Sequence, residues 1–316
     1  MRQQGRWIGA WLAAVAIGLA AAAEPVSRPL LAHWTLDEDS GGVCQDASGN
    51  GCEAAPEGQG AGLGRVPGVF GMAMGFSGRH GLRVPGKPAF GELAQFAVSA
   101  WVQPVAFERY NEIFRKEDGE QRVLFSFQEN GTVLSLGLNV GGYVECDAKV
   151  TPEQLLDGRW HFCAGTFDGT AMHVYLDGKE IGRLARQGTV LAGGAAAGYI
   201  GSANGGECFQ GSMDDLRLYG QALSADDVAR LLAQGQEALA TQAEVDPGGE
   251  PVLELAPLAQ WTFNERGPVP AARNTAGTTG MALQAEGPIP RVPGVHGRAA
   301  RLRGEPRLRV AGLALA

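Results

Sequence analysis

Beyond its opening residues the sequence has no apolar run long enough to cross a membrane. It has no C-x-x-C pair, so a zinc site of the usual spacing is not expected. Its five histidines, at 33, 80, 161, 173 and 296, stand singly and form no metal cluster. A G-x-S-x-G nucleophile elbow, an H-E-x-x-H metal helix and a phosphate-cradling glycine loop are all missing, which removes the commonest hydrolase and nucleotide chemistries. Basic residues number 26 against 34 acidic ones. The formal charge of -8 argues against a nucleic-acid or anionic-membrane partner, since both repel an acidic ligand.

Glycine, by contrast, is abundant: 48 residues with no Gly-X-Y period. Many glycines between many short apolar runs predict an all-β protein rich in tight turns. The chain opens MRQQGRWIGAWLAAVAIGLAAAAEPV, with two arginines, an apolar run from Trp7, and Ala21-Ala22-Ala23 before Glu24. That is the pattern of a secretory leader over 1–23, with no cysteine at the cleavage point. The mature protein is expected to be secreted (extracellular, at the cell surface or in the periplasm), with no membrane insertion after cleavage.

Export permits disulfides. Cys44 and Cys52 bracket QDASGNG, a loop that bends sharply enough to join them. Cys163 sits in HFCAGTF, which reads as a core strand and suits a buried free thiol. Cys146 and Cys208 are then the remaining pair.

The stretch DGRWHFCAGTFDGTAMHVYLDGKEIG, residues 157–182, contains Asp-Gly at 157, 168 and 177. Met172, Val174 and Leu176 alternate with His173, Tyr175 and Asp177, the period of a half-buried strand. Asp-Gly suits a type I′ turn, in which both central residues have positive φ. Turns about ten residues apart predict a β-sandwich or barrel. LAHWTLDE (31–38), FAVSAWVQP (96–104), RVLFSFQENG (122–131), VLSLGLNVGG (133–142) and QGSMDDLRLYG (210–220) read as further strands. EIFRKEDGEQ (112–121) reads as a solvated hairpin tip around Asp118-Gly119. One helix follows, capped by Ser224, striped by Val228, Leu231 and Leu232, and expected to end near Gln234 on the edge of the sandwich. Residues 235–256 lose periodicity and gain acids, Pro and Gly, as a linker does.

Past the linker the sequence repeats. LAHWTLDE returns as LAQWTFNE (258–265), RVPGVFGMAMGFSG (65–78) as RVPGVHGRAARLRG (291–304), and LRV (82–84) at 308–310. Residues 257–316 hold only the opening strands of the second copy. Such a fragment cannot bury its apolar face alone, so a truncated repeat that continues in a longer protein is the expectation.

Taken in order, HWTLDE, DASGNG, GVFGMAMGFSG, FAVSAWVQP, EIFRKE, DGRWHFCAGTFDG, HVYLDGKEIG and YIGSANG…FQGSMDDLRLYGQALSADDVARLL resemble a laminin-G-like domain of the concanavalin A-like lectin/glucanase superfamily, of the type found in bacterial secreted proteins. The resemblance covers 29–234. It departs at Phe162, where the family commonly has His, and at Ser77, where it commonly has Asp. It implies an all-β fold, a two-sheet antiparallel jelly-roll sandwich with one short C-terminal helix, and places Trp34, Trp101 and Trp160 in packing roles.

Glucanases of the superfamily work with carboxylates spaced E-x-D-x-x-E on one strand. Glu145-Cys146-Asp147 begins that pattern, but Val150 stands where the last Glu belongs, so no catalysis is expected. Related jelly rolls often hold a structural Ca²⁺, and the equivalent positions are Asp37, Gly78 and Asp214. Asp214 alternates with Leu216 and Leu218 on an apolar face, so its carboxylate needs either calcium or backbone N–H donors. For ligand binding, Tyr110, Tyr143 and Phe107 near Arg109 and Arg122 are either a sugar platform or ordinary half-exposed strand aromatics. The expected function is a non-catalytic module that binds a glycan or an extracellular protein. The alternatives are an accessory region of a larger secreted glycan-degrading enzyme, or a structural spacer in a surface or adhesion protein.

Overall fold

The computed structural model describes residues 26–38, 42–58 and 63–245, and strands within 269–311. The expected leader, the second half of the linker (246–256) and LAQWTFNE lie outside the described residues. The chain divides into two compact units, Met1–Ala243 and Glu244–Ala316.

In the first unit, β1 (Leu30–Trp34), β2 (Ala55–Pro56), β3 (Leu63–Pro67), β4 (Met72–Ser77) and β5 (Leu82–Val84) open the chain. Next come β6 (Glu92–Leu93), β7 (Phe96–Pro104), β8 (Tyr110–Asp118), β9 (Gln121–Gln128), β10 (Val133–Asn139) and β11 (Tyr143–Lys149). A single helical turn, α1 (Pro152–Leu155), precedes β12 (His161–Phe167), β13 (Ala171–Leu176) and β14 (Lys179–Ala185). The unit closes with β15 (Val190–Leu191), β16 (Gly198–Ile200), β17 (Gln210–Tyr219) and helix α2 (Ala225–Val245).

One sheet runs β14-β13-β12-β7-β17-β4-β3, with β1 also paired to β17; the other runs β11-β10-β9-β8-β16-β5-β2. All pairings in both are antiparallel, as the alternation required. The turn chemistry is also as expected at Asp177 and Gly178, with φ of 49° and 79°, which lets β13 return as β14. Asp168 acts differently. Its Oδ1 accepts from the backbone N–H groups of Thr170 and Ala171, at 2.7 and 2.8 Å, and so folds the β12–β13 loop.

The core lies between the sheets. β9 sends Val123, Phe125 and Phe127 inward, β10 sends Leu134, Leu136 and Leu138, and they meet Trp34, Phe76, Phe114 and Phe167. The larger sheet carries apolar residues on its outer face too: Trp101, Phe162, Ala164, Tyr175 and Tyr219. That face must be covered, and α2 covers it, setting Val228 and Leu231 against the aromatic rings. The helix therefore packs on a sheet face, not on the sandwich edge, and it does not end near Gln234. It continues to Val245, into residues expected to be linker. Gly235 makes this possible, because a Cβ there would stand 2.1 Å from the Trp101 ring. At its start, Ser224 Oγ accepts from Asp227 N–H at 3.2 Å while Asp227 Oδ2 accepts from Ser224 N–H at 3.0 Å, a reciprocal cap.

In the second unit Arg291–Gly294 pairs with Gly297–Ala300, Arg291 opposite Ala300. The corresponding hairpin of the first unit places Arg65 opposite Met74. A separate three-stranded sheet joins Val269–Arg273, Ala282–Ile289 and Leu308–Ala311.

Candidate functional site

The face of the smaller sheet that points away from the core is polar. β8, β9 and β11 build a groove of about 240 Å³ there, and its walls include Tyr110, Arg122 and Tyr143, the three ligand-binding candidates. Tyr143 lies against β10 because position 137 is glycine, where a Cβ would stand 2.4 Å from the phenol oxygen. The Arg122 guanidinium sits 4.6 Å from the Tyr143 ring centre, and that of Arg109 5.1 Å from the Tyr110 ring centre. The Tyr143 hydroxyl donates to Glu145 Oε1 at 2.7 Å, and Gln128 Nε2 donates to the same oxygen at 3.0 Å. Burial and the Glu145 carboxylate push the Tyr143 phenol up, so it stays a hydroxyl. Phe107 is not in the groove. It turns to Phe127, with ring centres 5.2 Å apart, over Gly131.

Other groove residues went unrecognised in the sequence. Arg115 bridges three carboxylates: Glu112 at 3.1 Å, Glu117 at 2.9 Å and Glu207 at 2.5 Å. Glu112 was expected in a solvated hairpin tip, yet it is 1 % exposed. Only the end of that hairpin is solvated; Lys116 is also buried, donating to the Gly193 carbonyl at 3.0 Å. Burial pushes the Glu112 carboxyl well above the usual range, Arg115 opposes that, and Glu207 adds to it. A β-bulge between Glu112 and Phe114 shifts the alternation along β8, which hid these positions from a period-two reading.

A larger cavity, about 470 Å³, lies between α2 and the other sheet, walled by Trp101, Trp160, His161, Asp177, Leu232 and Leu239 among others. Trp101 and Leu232 there belong to the helix–sheet packing, and both ring nitrogens of His161 are taken, by Asp177 at 2.9 Å and Asp157 at 3.2 Å. The smaller groove is the better candidate because its polar groups converge on open space.

The three calcium candidates are not all brought together. β4 runs antiparallel to β17, with Ser77 opposite Gln210 and Met74 opposite Met213, so Gly78 lies at the Gln210 end, away from Asp214. Asp37 and Asp214 do share a place: both hold the turn at 68–72. Asp214 Oδ2 accepts from the Val69 and Phe70 N–H groups at 2.7 and 2.9 Å, and Asp37 Oδ1 accepts from Met72 N–H at 2.8 Å. The other Asp214 oxygen is buried without a partner. Burial pushes the Asp214 carboxyl up to about 7; the two amides work against that, and the charges of Asp215 and Asp37 reinforce it. An oxygen without a partner, under the charges of Asp215 and Asp37, suits a hard cation in charge. Among the described residues, however, no three His, Cys, Asp or Glu side chains gather in metal-ligand arrangement.

All five cysteines are free thiols, so neither expected disulfide is formed in this structure. Cys44 pairs across strands with Ala54, which leaves Cys52 on a diagonal, and its Sγ approaches the Leu31 and Asn50 carbonyls instead. Cys146 points into the core from the far edge strand of its sheet, where its Sγ lies 3.8 Å from the Met172 carbonyl oxygen. Cys208 lies by the β8 side, three strand positions away, which is far beyond disulfide reach. Cys163 is buried and free, as expected.

Two antiparallel sheets in this order, one outer face sealed by a helix and the other left polar, make a lectin-like jelly roll. Residues 76–229 match the Laminin_G_3 family of the Concanavalin A-like lectin/glucanases superfamily, so the resemblance read from the sequence holds over that segment. Among solved structures, the chain is similar to domain 4 of AbnA, a GH43 extracellular arabinanase from Geobacillus stearothermophilus, in complex with arabinotriose. The identity is 25%, over 66% of this chain and 99% of that one, with a TM-score of 0.53. The binding domain of botulinum neurotoxin serotype G (11% identity, 86% and 65% coverage, TM-score 0.51) shares the fold. So does that of Paraclostridial Mosquitocidal Protein 1 (14%, 65% and 52%, TM-score 0.50), of which this chain spans about half. Among the described residues no helix is long and apolar enough to cross a membrane.

Proposed function

We propose that this chain is an exported, non-catalytic carbohydrate-binding module, with its ligand in the groove of Tyr110, Arg122 and Tyr143. The observation that carries the proposal is the convergence of polar groups on one open groove, where Tyr143 packs its phenol end over Gly137, carries the Arg122 guanidinium on its ring and holds Glu145 at its hydroxyl. With Gly137 beneath Tyr143 and Arg122 on its ring, the groove offers a sugar fixed polar groups for its hydroxyls, Glu145 and Gln128 among them, between tyrosine side walls. The arabinanase domain solved with arabinotriose supports a glycan over a protein partner, and it also favours an accessory role beside a glycan-degrading enzyme.

Non-catalysis rests on the missing E-x-D-x-x-E strand. Among the described residues, the place for a calcium ion is the Asp37–Asp214 end. There the two carboxylates would hold it, with carbonyl or water oxygens completing the shell, and its charge would relieve the repulsion among Asp37, Asp214 and Asp215.

The test is a polysaccharide binding screen on the full chain, with Ca²⁺ and with chelator, alongside Tyr143→Ala. Binding that Tyr143→Ala abolishes is expected. Binding that survives Tyr143→Ala unchanged places the ligand elsewhere, and silence on every polysaccharide from folded protein turns the proposal toward a protein partner.

A further inference from the structure

Resting on the glycan reading, we infer that the groove selects sugar units that bear no acidic group, and that Glu207 sets this selectivity by occupying Arg115. Four carboxylates, of Glu112, Glu117, Glu145 and Glu207, stand in or beside the groove against three guanidiniums, of Arg109, Arg115 and Arg122. Two of the three are already held in ion pairs. Arg115 serves Glu112, Glu117 and Glu207, while Arg122 reaches Glu117 at 3.3 Å and lies on Tyr143. A uronate or sialate carboxylate entering the groove finds Arg115 and Arg122 taken, with Arg109 off to the side on the Tyr110 ring, and faces carboxylates of its own sign.

Neutral hydroxyls meet the opposite situation. Glu145 and Glu207 are exposed acceptors, fixed in place by the bonds they already accept. Beneath them Glu112 is 1 % exposed, with one oxygen on Arg115 and the other without a partner. It holds a further negative or proton-sharing group under the groove floor. Glu207 is not a casual surface residue. Its backbone adopts φ of 50°, and its carbonyl accepts from Glu112 N–H at 3.0 Å, so its loop is pinned to β8 beside Arg115. Like-charge juxtaposition of this kind discriminates between partners more strongly than it alters affinity for the accepted one.

The experiment is binding of the full chain to arrayed neutral polymers (arabinan, galactan, xylan, chitin) and acidic ones (polygalacturonate, alginate, hyaluronate), for the wild type and Glu207→Gln. Neutral polymers are expected to bind at least about tenfold more tightly than acidic ones. Glu207→Gln, which frees one edge of Arg115, is expected to narrow that gap several-fold. A salt series on the wild type, from about 0.05 to about 0.5 M, keeps the test independent of the variant's folding: the discrimination should shrink as the repulsion is screened. Acidic polymers bound as tightly as neutral ones, or a gap that neither Glu207→Gln nor salt moves, overturns this inference and leaves the glycan reading standing. Failure to bind any polymer overturns the glycan reading, and this inference falls with it.

Discussion

Replacing Asp214 tests how the turn at 68–72 is held. Asp214→Ala removes the acceptor for two backbone donors, Val69 N–H and Phe70 N–H, and Val69 is fully buried. An orphaned buried donor costs about 1–3 kcal/mol, so the pair accounts for roughly 2–5 kcal/mol. In a domain of this size each kcal/mol is worth about 2–4 °C, which gives a fall of roughly 10 °C in Tm. Asp214→Asn keeps a carbonyl oxygen on both amides and removes the buried charge, so most of that loss should be avoided.

Acidity sharpens the contrast. Asp214 has a folded pKa of about 7 against an ordinary 3.8, so the folded state binds this proton more tightly than the unfolded one. Its contribution to stability is full below about pH 4 and declines as pH rises toward 7, by an amount on the order of 4 kcal/mol at most. Thermal unfolding followed by near-UV circular dichroism between pH 4.5 and 7.5 (roughly the window in which the group titrates) should show wild type losing ground to Asp214→Asn as pH rises. The reasoning is refuted if Asp214→Asn is as unstable as Asp214→Ala at low pH, because a neutral carbonyl oxygen in the same place would then fail to hold the two amides. If Ca²⁺ raises the wild-type Tm near pH 7 and leaves that of Asp214→Asn unmoved, the calcium proposal gains its support.

Three further outcomes are expected. Gly137→Ala, ordinarily favourable in a strand, should displace Tyr143 and weaken glycan binding several-fold while the fold signal by circular dichroism stays intact; unchanged binding would separate the Tyr143 ring from the ligand. Gly235→Ala, ordinarily favourable in a helix, should lower Tm, since its Cβ meets the Trp101 ring and overpacking costs about 1–3 kcal/mol; a raised Tm would mean that α2 does not lie on that face. Thiol titration of the native protein should find Cys208, the half-buried one, and reach the other four after denaturation without reductant. Recovery of only three thiols in denaturant would show one disulfide.

The strands were legible because their alternation and turn residues act locally. FAVSAWVQP is β7 from end to end, and Asp177-Gly178 turns as its residue types demand. The extent of α2 was not legible, because a glycine within a helix looks like a stop signal; its purpose here is room for Trp101, a residue distant in sequence. The groove was half legible. Tyr110, Arg122 and Tyr143 could be named as types that bind sugars, but Glu112 and Glu207 meet across a gap of nearly a hundred residues, joined through Arg115. Gly78 failed as a calcium candidate for the same reason: an antiparallel pairing carries a residue near in sequence order to the far end of its partner.

The two outer faces of the sandwich explain why the site lies where it does. A strand buried on both sides reads as a continuous apolar run, and β7 and β12 do so, with nearly every residue of FAVSAWVQP and HFCAGTF buried. That face is committed to α2. β11 alternates instead, burying Cys146 and Ala148 while exposing Glu145, Asp147 and Lys149, so its outer face stays open. The choice of binding face was thus made by which strands kept their alternation. It follows that changes on α2 should move stability and leave recognition alone, whereas changes on the outward positions of β8, β9 and β11 should move recognition first. Gly235→Ala and Gly137→Ala, each adding a single methyl, set those two consequences against each other in the same protein.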